Sequence, residues 1–308
     1  MSAERQAYKN LARQTGADAV EVLAKSDGPA RRVAADGGVD NGFRIGIARA
    51  ADSGAIDSFD QIDDAVRKIE DLDGPANRQA KLLVYDTDGA GVKLVDELDD
   101  ETLQTVLDVD IDRARELRAA FARNYRHGHA SVDDIEEFAR YVDDLEGIDG
   151  LNSGPVADAI EANDPGNFKG ALLEVRVADD IGGDNIEKMN IEIGSDGGIG
   201  ELDIKRANGK IVEVKSSFGY TKQVIDNQFA KKLNSMGSKP RRRWFFGTIA
   251  AGWLKPSSRR SSARSAPPCV RGTGTSHSAR WSSNVPSTIF VEQLDTQQIN
   301  CRHSVSAR

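Results

Sequence analysis

Asp203, Glu213 and Lys215 are the residues whose types and spacing invite chemistry. They lie within residues 198–217, GIGELDIKRANGKIVEVKSS, where apolar and polar residues alternate on both sides of Asn208-Gly209. Such alternation around a glycine turn predicts a β-hairpin. Glu213 and Lys215 are two apart and so share one face of their strand. The turn decides whether Asp203 joins them. A two-residue loop would set Asp203 opposite Val214, on the wrong face. A three-residue loop, Ala207 to Gly209 with Gly209 in the left-handed region, sets it opposite Glu213. Opposed carboxylates repel each other, and a half-buried lysine beside them is costly unless something uses it. A divalent cation between the carboxylates removes the conflict, and hard oxygen donors suit Mg2+ or Mn2+. A surface hairpin with a solvated charged face is the competing reading.

The elements that must hold this hairpin are legible on either side of it. Pro165 to Ile181 carries Phe168, Leu172, Val175 and Ala178 at helical spacing, with Glu174 beside that stripe, and Gly182-Gly183 closes the helix. Met189, Ile191 and Ile193 alternate as a first strand. After the hairpin, residues 221–233 predict a helix presenting Lys222, Gln228, Lys231 and Lys232.

This order of helix, strand, hairpin and helix resembles the PD-(D/E)XK, or restriction-endonuclease-like, nuclease superfamily, especially its Holliday-junction-resolvase-like and toxin-associated branches. The likeness covers residues 164–233, about a quarter of the chain. The stretch from Asn167 through Gly170 to Glu174 resembles the family's first helix with its acid. Gly200-Glu201-Leu202-Asp203-Ile204 resembles its aspartate strand, and Glu213-Val214-Lys215 its E-x-K strand. The resemblance implies a small α-β-β-β-α core and a catalytic set of Glu174, Asp203, Glu213 and Lys215. Asp203, Glu213 and the Val214 carbonyl would hold Mg2+ or Mn2+, with Glu174 acting directly or through water. Lys215 would orient the attacking water. Gln228 matches a polar residue of the family's next helix. DNA is the implied partner, and Lys205, Arg206, Lys210, Lys222, Gln228, Lys231 and Lys232 the residues that would contact it. A cognate immunity-type protein would accompany a toxin effector, and a homodimer fits a resolvase.

Upstream, the chain reads as an acidic helical region. Residues 4–14 and 18–25 predict short helices, and the Gly- and Asp-rich remainder up to residue 56 reads as loop or disorder. Ser58 with Gln61 resembles a capping box, and Ile62, Val66 and Ile69 follow at helical spacing until Gly74-Pro75. Residues 81–85 form a short apolar run into Asp86-Thr87-Asp88-Gly89, which resembles the opening motif of haloacid-dehalogenase-like phosphatases; an Asp-Gly turn is the plainer reading. Residues 101–126 carry the longest helical pattern, with a break expected at 108–110, and Gly128 ends it. His127 and His129 flank that glycine, either as ligands or as complements to the helix dipole. Ser131 with Asp134 caps a further helix. Residues 147–154 read as a linker before a short helix from Pro155.

Charge divides the chain further. Residues 1–204 carry a net −23, residues 205–235 a net +5 and residues 236–308 a net +10, within an overall −8. In residues 1–235 Asp outnumbers Glu 32 to 15, an excess that keeps a protein soluble in high salt and points to a halophilic source. The expected divisions are 1–80 (weakly structured, partly helical), 81–150 (helical), 160–235 (nuclease-like core) and 236–308 (basic, low-order tail). The tail holds all three tryptophans and both cysteines. Its abrupt loss of acids and periodicity looks like a frame-shifted extension, so most of it is expected outside any packed core, with residues 244–249 docking on the sheet edge at most. No apolar run approaches 18 residues, so a soluble, cytoplasmic protein without a membrane partner is expected, export as a toxin being the other option. The functional expectation is a metal-dependent DNA endonuclease. The alternatives are a nuclease-like binding module that no longer cleaves and, behind it, the phosphatase.

Overall fold

The computed structural model describes residues 2–26, 28–54, 56, 58–193, 200–216, 246–250 and 288–295, and the last two segments as backbone. Within them lie α1 (Ala3–Thr15), α2 (Ala17–Lys25), α3 (Pro29–Ala35), α4 (Asn41–Asp52), α5 (Phe59–Asp71), α6 (Gly74–Asp86), α7 (Ala90–Glu97), α8 (Asp100–Asp108), α9 (Ala114–Arg126), α10 (Val132–Asp144), α11 (Pro155–Glu161) and α12 (Pro165–Ile181). A short 3₁₀ turn then leads to β1 (Ile186–Ile193), β2 (Gly200–Arg206) and β3 (Lys210–Ser216), with β4 (Phe246–Ala250) and β5 (Thr288–Asp295) from the basic tail. The sheet is antiparallel, in the order β1-β2-β3-β5-β4. The class is mixed α and β, mostly helical. No helix among the described residues is long and apolar enough to cross a membrane.

Helix caps explain most of the boundaries. Asp40, Asp99 and Asp164 each accept an N–H in the first turn of α4, α8 and α12, and Ser131 with Asp134 forms a reciprocal capping box on α10. Ser58 begins α5 without the side-chain bond its spacing suggested. Gly74-Pro75 opens α6 rather than ending α5, because proline at the first positions needs no N–H partner there. The break expected at 108–110 is present between α8 and α9.

Residues 1–80 are far more ordered than their composition suggested. The stretch expected to be loop contributes α3 and α4, and α4 buries Phe43, Ile45 and Ile47. Three basic side chains do internal work. Arg44 donates to the Ala7 and Ala34 carbonyls at 3.1 and 2.8 Å, and Arg118 to those of Leu107 and Val109 at 3.2 and 3.0 Å. Lys68 reaches the carbonyls of Val95, Asp96 and Leu98. Apart from Ala7, which lies inside α1, the carbonyls they reach are at or just past helix C-termini, where a helix leaves them without internal partners.

One buried cluster runs from Leu11 to Val214, so the helices and the first strands share a core. Its centre is an aromatic triad. Phe121 of α9, Phe138 of α10 and Phe168 of α12 lie with ring centroids 5.5–6.3 Å apart, a favoured range for edge and tilted contacts. The linker 147–154 then docks on β1. Met189 N–H donates to the Asp149 carbonyl at 2.7 Å, and a Cβ on Gly150 would sit 1.9 Å from the Met189 carbonyl oxygen, so only glycine fits. The triad fixes α12 and the linker fixes the sheet. Together they set the hairpin against the body.

Candidate metal and phosphodiester site on the β2–β3 hairpin

The turn between β2 and β3 has the three-residue form. Ile204 pairs with Val212 and Lys205 with Ile211, and continuing that register by one position sets Asp203 opposite Glu213. Gly209 has φ 78° and its N–H donates to the Arg206 carbonyl at 2.8 Å. Asn208 Oδ1 accepts the Lys210 N–H at 3.1 Å. A type I turn followed by a left-handed glycine produces this loop, and asparagine's short side chain secures it.

Asp203 and Glu213 are 7% and 4% exposed. The Val214 N–H donates to the Asp203 carboxylate, so an acid side chain takes a bond that a regular ladder would give to the β2 backbone. The N–H and C=O of one extended residue point to the same neighbour, so the Val214 carbonyl also faces β2 and Asp203. The same alternation puts Asp203 and Glu213 at a non-hydrogen-bonded position, the kind at which facing side chains come closer. Two carboxylates and a carbonyl on adjacent backbone positions are hard oxygen donors. Their chemistry fits Mg2+ or Mn2+.

Glu174 is half-buried on α12, which packs against β3. Ile204, Val212 and Val214 join the core shared with Phe168, Leu172 and Val175, and alternation places Asp203 and Glu213 on the opposite sheet face. Among the described residues no three His, Cys, Asp or Glu side chains form a ready ligand group. Lys215 is two positions beyond Glu213 in β3, in register with Phe290. Of the expected nucleic-acid contacts, Lys205 is ion-paired with Glu187 of β1, which neutralises it, whereas Arg206 and Lys210 flank the turn. Lys222, Gln228, Lys231 and Lys232 lie outside the described residues.

The tail brings one residue that sequence reasoning missed. β5 pairs with β3 over seven positions and sets Glu292 opposite Glu213. Asp203, Glu213 and Glu292 thus occupy aligned positions on three neighbouring strands. The run that forms β5 is the apolar stretch near residue 290, not residues 244–249, whose strand β4 lies on the far side of β5. The expectation that only residues 244–249 could dock on the sheet is corrected accordingly.

The phosphatase motif loses its geometry. Residues 81–85 are the last turns of α6, not a strand. Asp86 is held in a two-bond clasp by Arg115, both contacts 2.7 Å, and Asp88 by Arg49 at 3.0 Å. No protein-family model, no curated protein and no solved structure matches this chain.

Proposed function

We propose that the β2–β3 hairpin is the centre of a metal-dependent nuclease that hydrolyses phosphodiester bonds in DNA. The observation that carries the reading is the opposed pair of buried carboxylates, Asp203 and Glu213. Burying two acids at adjacent strand positions opposes folding, and a divalent cation turns that cost into a binding site. Asp203, Glu213 and the Val214 carbonyl would hold the ion; Glu174, on α12 against the other face of the sheet, is left out of the site. When bound, such an ion lowers the pKa of water and offsets charge on the phosphate oxygens. Lys215 would orient the attacking water and stabilise the extra negative charge of the transition state. The net +5 of residues 205–235 would attract a phosphate backbone, in contrast with the net −23 of residues 1–204. An immunity-type partner, a homodimer and a halophilic source remain part of this reading.

The second reading is a nuclease-like module that binds nucleic acid or a partner without cleaving. The neutralised Lys205 and the Asp203 carboxylate bound to a backbone N–H favour it, since both reduce what the hairpin offers to a substrate. Incubating supercoiled plasmid with the full chain and Mg2+ separates the two. Nicking that chelation stops and Asp203→Ala abolishes supports the nuclease. Retardation of the plasmid without nicking, at any Mg2+ or Mn2+ concentration, supports the binding module.

A further inference from the structure

The turn between α9 and α10 carries the sequence Arg126-His127-Gly128-His129-Ala130, which the hairpin chemistry leaves unused. Its backbone is a Schellman motif. His127 is the helix C-cap and donates to the Arg123 carbonyl at 3.1 Å. Gly128, with φ 69°, donates to the Tyr125 carbonyl at 2.9 Å, and His129 donates to the Asn124 carbonyl at 2.9 Å. Those last two bonds are the pair that defines the motif. The two histidines therefore sit at fixed positions on either side of a left-handed glycine. Little backbone entropy is left to lose when both act together.

The rings meet. Their centroids are 5.6 Å apart with planes 32° from parallel. With metal–nitrogen bonds of about 2.0–2.1 Å, two imidazoles on one ion place their centroids roughly 5 Å apart, so a small rotation of the exposed His127 side chain suffices. The position favours a cation on two further counts. The carbonyls at the end of α9 carry the negative end of the helix dipole, and residues 1–204 have a net charge of −23.

We propose that His127 and His129 form a two-imidazole site for a divalent transition ion of the copper, nickel and zinc class, completed by water. The preference follows from the donors: imidazole suits these ions, whereas Mg2+ and Mn2+ prefer the oxygen set of the hairpin. The site is separate from the hairpin and its chemistry is different. Its consequence is structural. α9 and α10 carry Phe121 and Phe138, which hold Phe168 and hence α12. An ion bridging the turn fastens the helix pair on which α12 rests, and any ligand of the native state alone raises stability.

The test is a Ni2+ titration of the full chain, followed by calorimetry and by thermal unfolding. A Cys269→Ser/Cys301→Ser variant is measured in parallel to remove thiols that compete for the ion. With excess Mg2+ present to occupy the hairpin, the expected result is one equivalent of Ni2+ bound in both proteins, with a melting midpoint that rises with Ni2+ concentration. Changing either His127→Ala or His129→Ala converts a chelate to a single ligand and should weaken binding roughly 10–100-fold, the advantage of a tethered second donor. Both variants should lose the Ni2+-dependent midpoint shift while melting normally without metal, since His127 is exposed and His129 only half-buried. Unchanged affinity in the two variants would overturn the proposal. So would binding that disappears only with His277→Ala or His303→Ala.

Discussion

The helical body and the β2–β3 hairpin house their acids in opposite ways. In the body, carboxylates face guanidinium groups or cap helices: Asp86 meets Arg115, Asp88 meets Arg49 and Glu137 meets Arg176, while Asp40, Asp99 and Asp164 bind first-turn N–H groups. Those acids keep water or a cation nearby, and each serves folding locally. Asp203 and Glu213 are instead buried at facing positions of a sheet, and one of them takes a ladder N–H. Residues 1–204 hold 45 acids, Asp203 among them, so acid content by itself says nothing of chemistry. What separates the two regions is whether a carboxylate lowers the free energy of folding or raises it.

The largest effect should come from the body. Phe138→Ala removes the ring shared by both other members of the triad and should cost about 3–5 kcal/mol, read as a fall in the urea midpoint. A cost below about 1 kcal/mol would mean that α12 does not depend on the triad. Next is Asp203→Ala, which leaves the buried Val214 N–H without its acceptor and should cost about 1–3 kcal/mol by the same measurement. Glu213→Gln should act in the opposite sense. Removing one of two facing charges should leave stability unchanged or raise it by up to about 1 kcal/mol in metal-free buffer, while plasmid nicking is lost. A destabilisation comparable with that of Asp203→Ala would make Glu213 an ordinary structural acid and erase the contrast. Asp86→Asn, a partly exposed ion pair, should cost less than about 1 kcal/mol and leave nicking intact.

The smallest effect concerns pH. Burial first, then the neighbouring charges of Asp144 and Asp180, raise the Asp179 carboxyl above its ordinary value. The folded state therefore holds this proton more tightly than the unfolded chain. Its contribution favours folding in acid and fades as pH rises from the ordinary carboxylate value through the raised one. Asp179→Asn should raise the melting midpoint near neutrality and not below the ordinary carboxylate range. An equal shift at both pH values would assign the effect to packing rather than to charge.

The helices with strong period and chemical caps were legible in the sequence. α12 runs from Pro165 to Ile181 as its stripe and flanking glycines indicate, and the capping box at Ser131 is present. The hairpin register was legible too, because only one loop length lets Asp203 face Glu213. α3 and α4 were not, since their Gly, Ala and Arg content carries a weak periodic signal and tertiary burial of Phe43 and Ile47 decides their state. Residues 81–85 look like a strand over five residues and are helical because α6 begins well upstream at Gly74. β5 could not be paired from sequence, as nothing in an apolar run near residue 290 specifies a partner 73 or more residues earlier. Glu292 was missed for the same reason. Loop closure over such a distance leaves no local trace.

Calorimetric titration of the wild-type chain and of Glu213→Gln with Mg2+ and Mn2+ tests the central claim most directly. The wild type should bind the ion at the hairpin, and Glu213→Gln, folded and no less stable, should lose that binding. Lys215→Ala should keep it, because a charged lysine cannot act as a ligand. Undiminished Mg2+ and Mn2+ affinity in Glu213→Gln would contradict the account: the buried carboxylates would then hold no ion, and the hairpin would not be a metal-dependent centre.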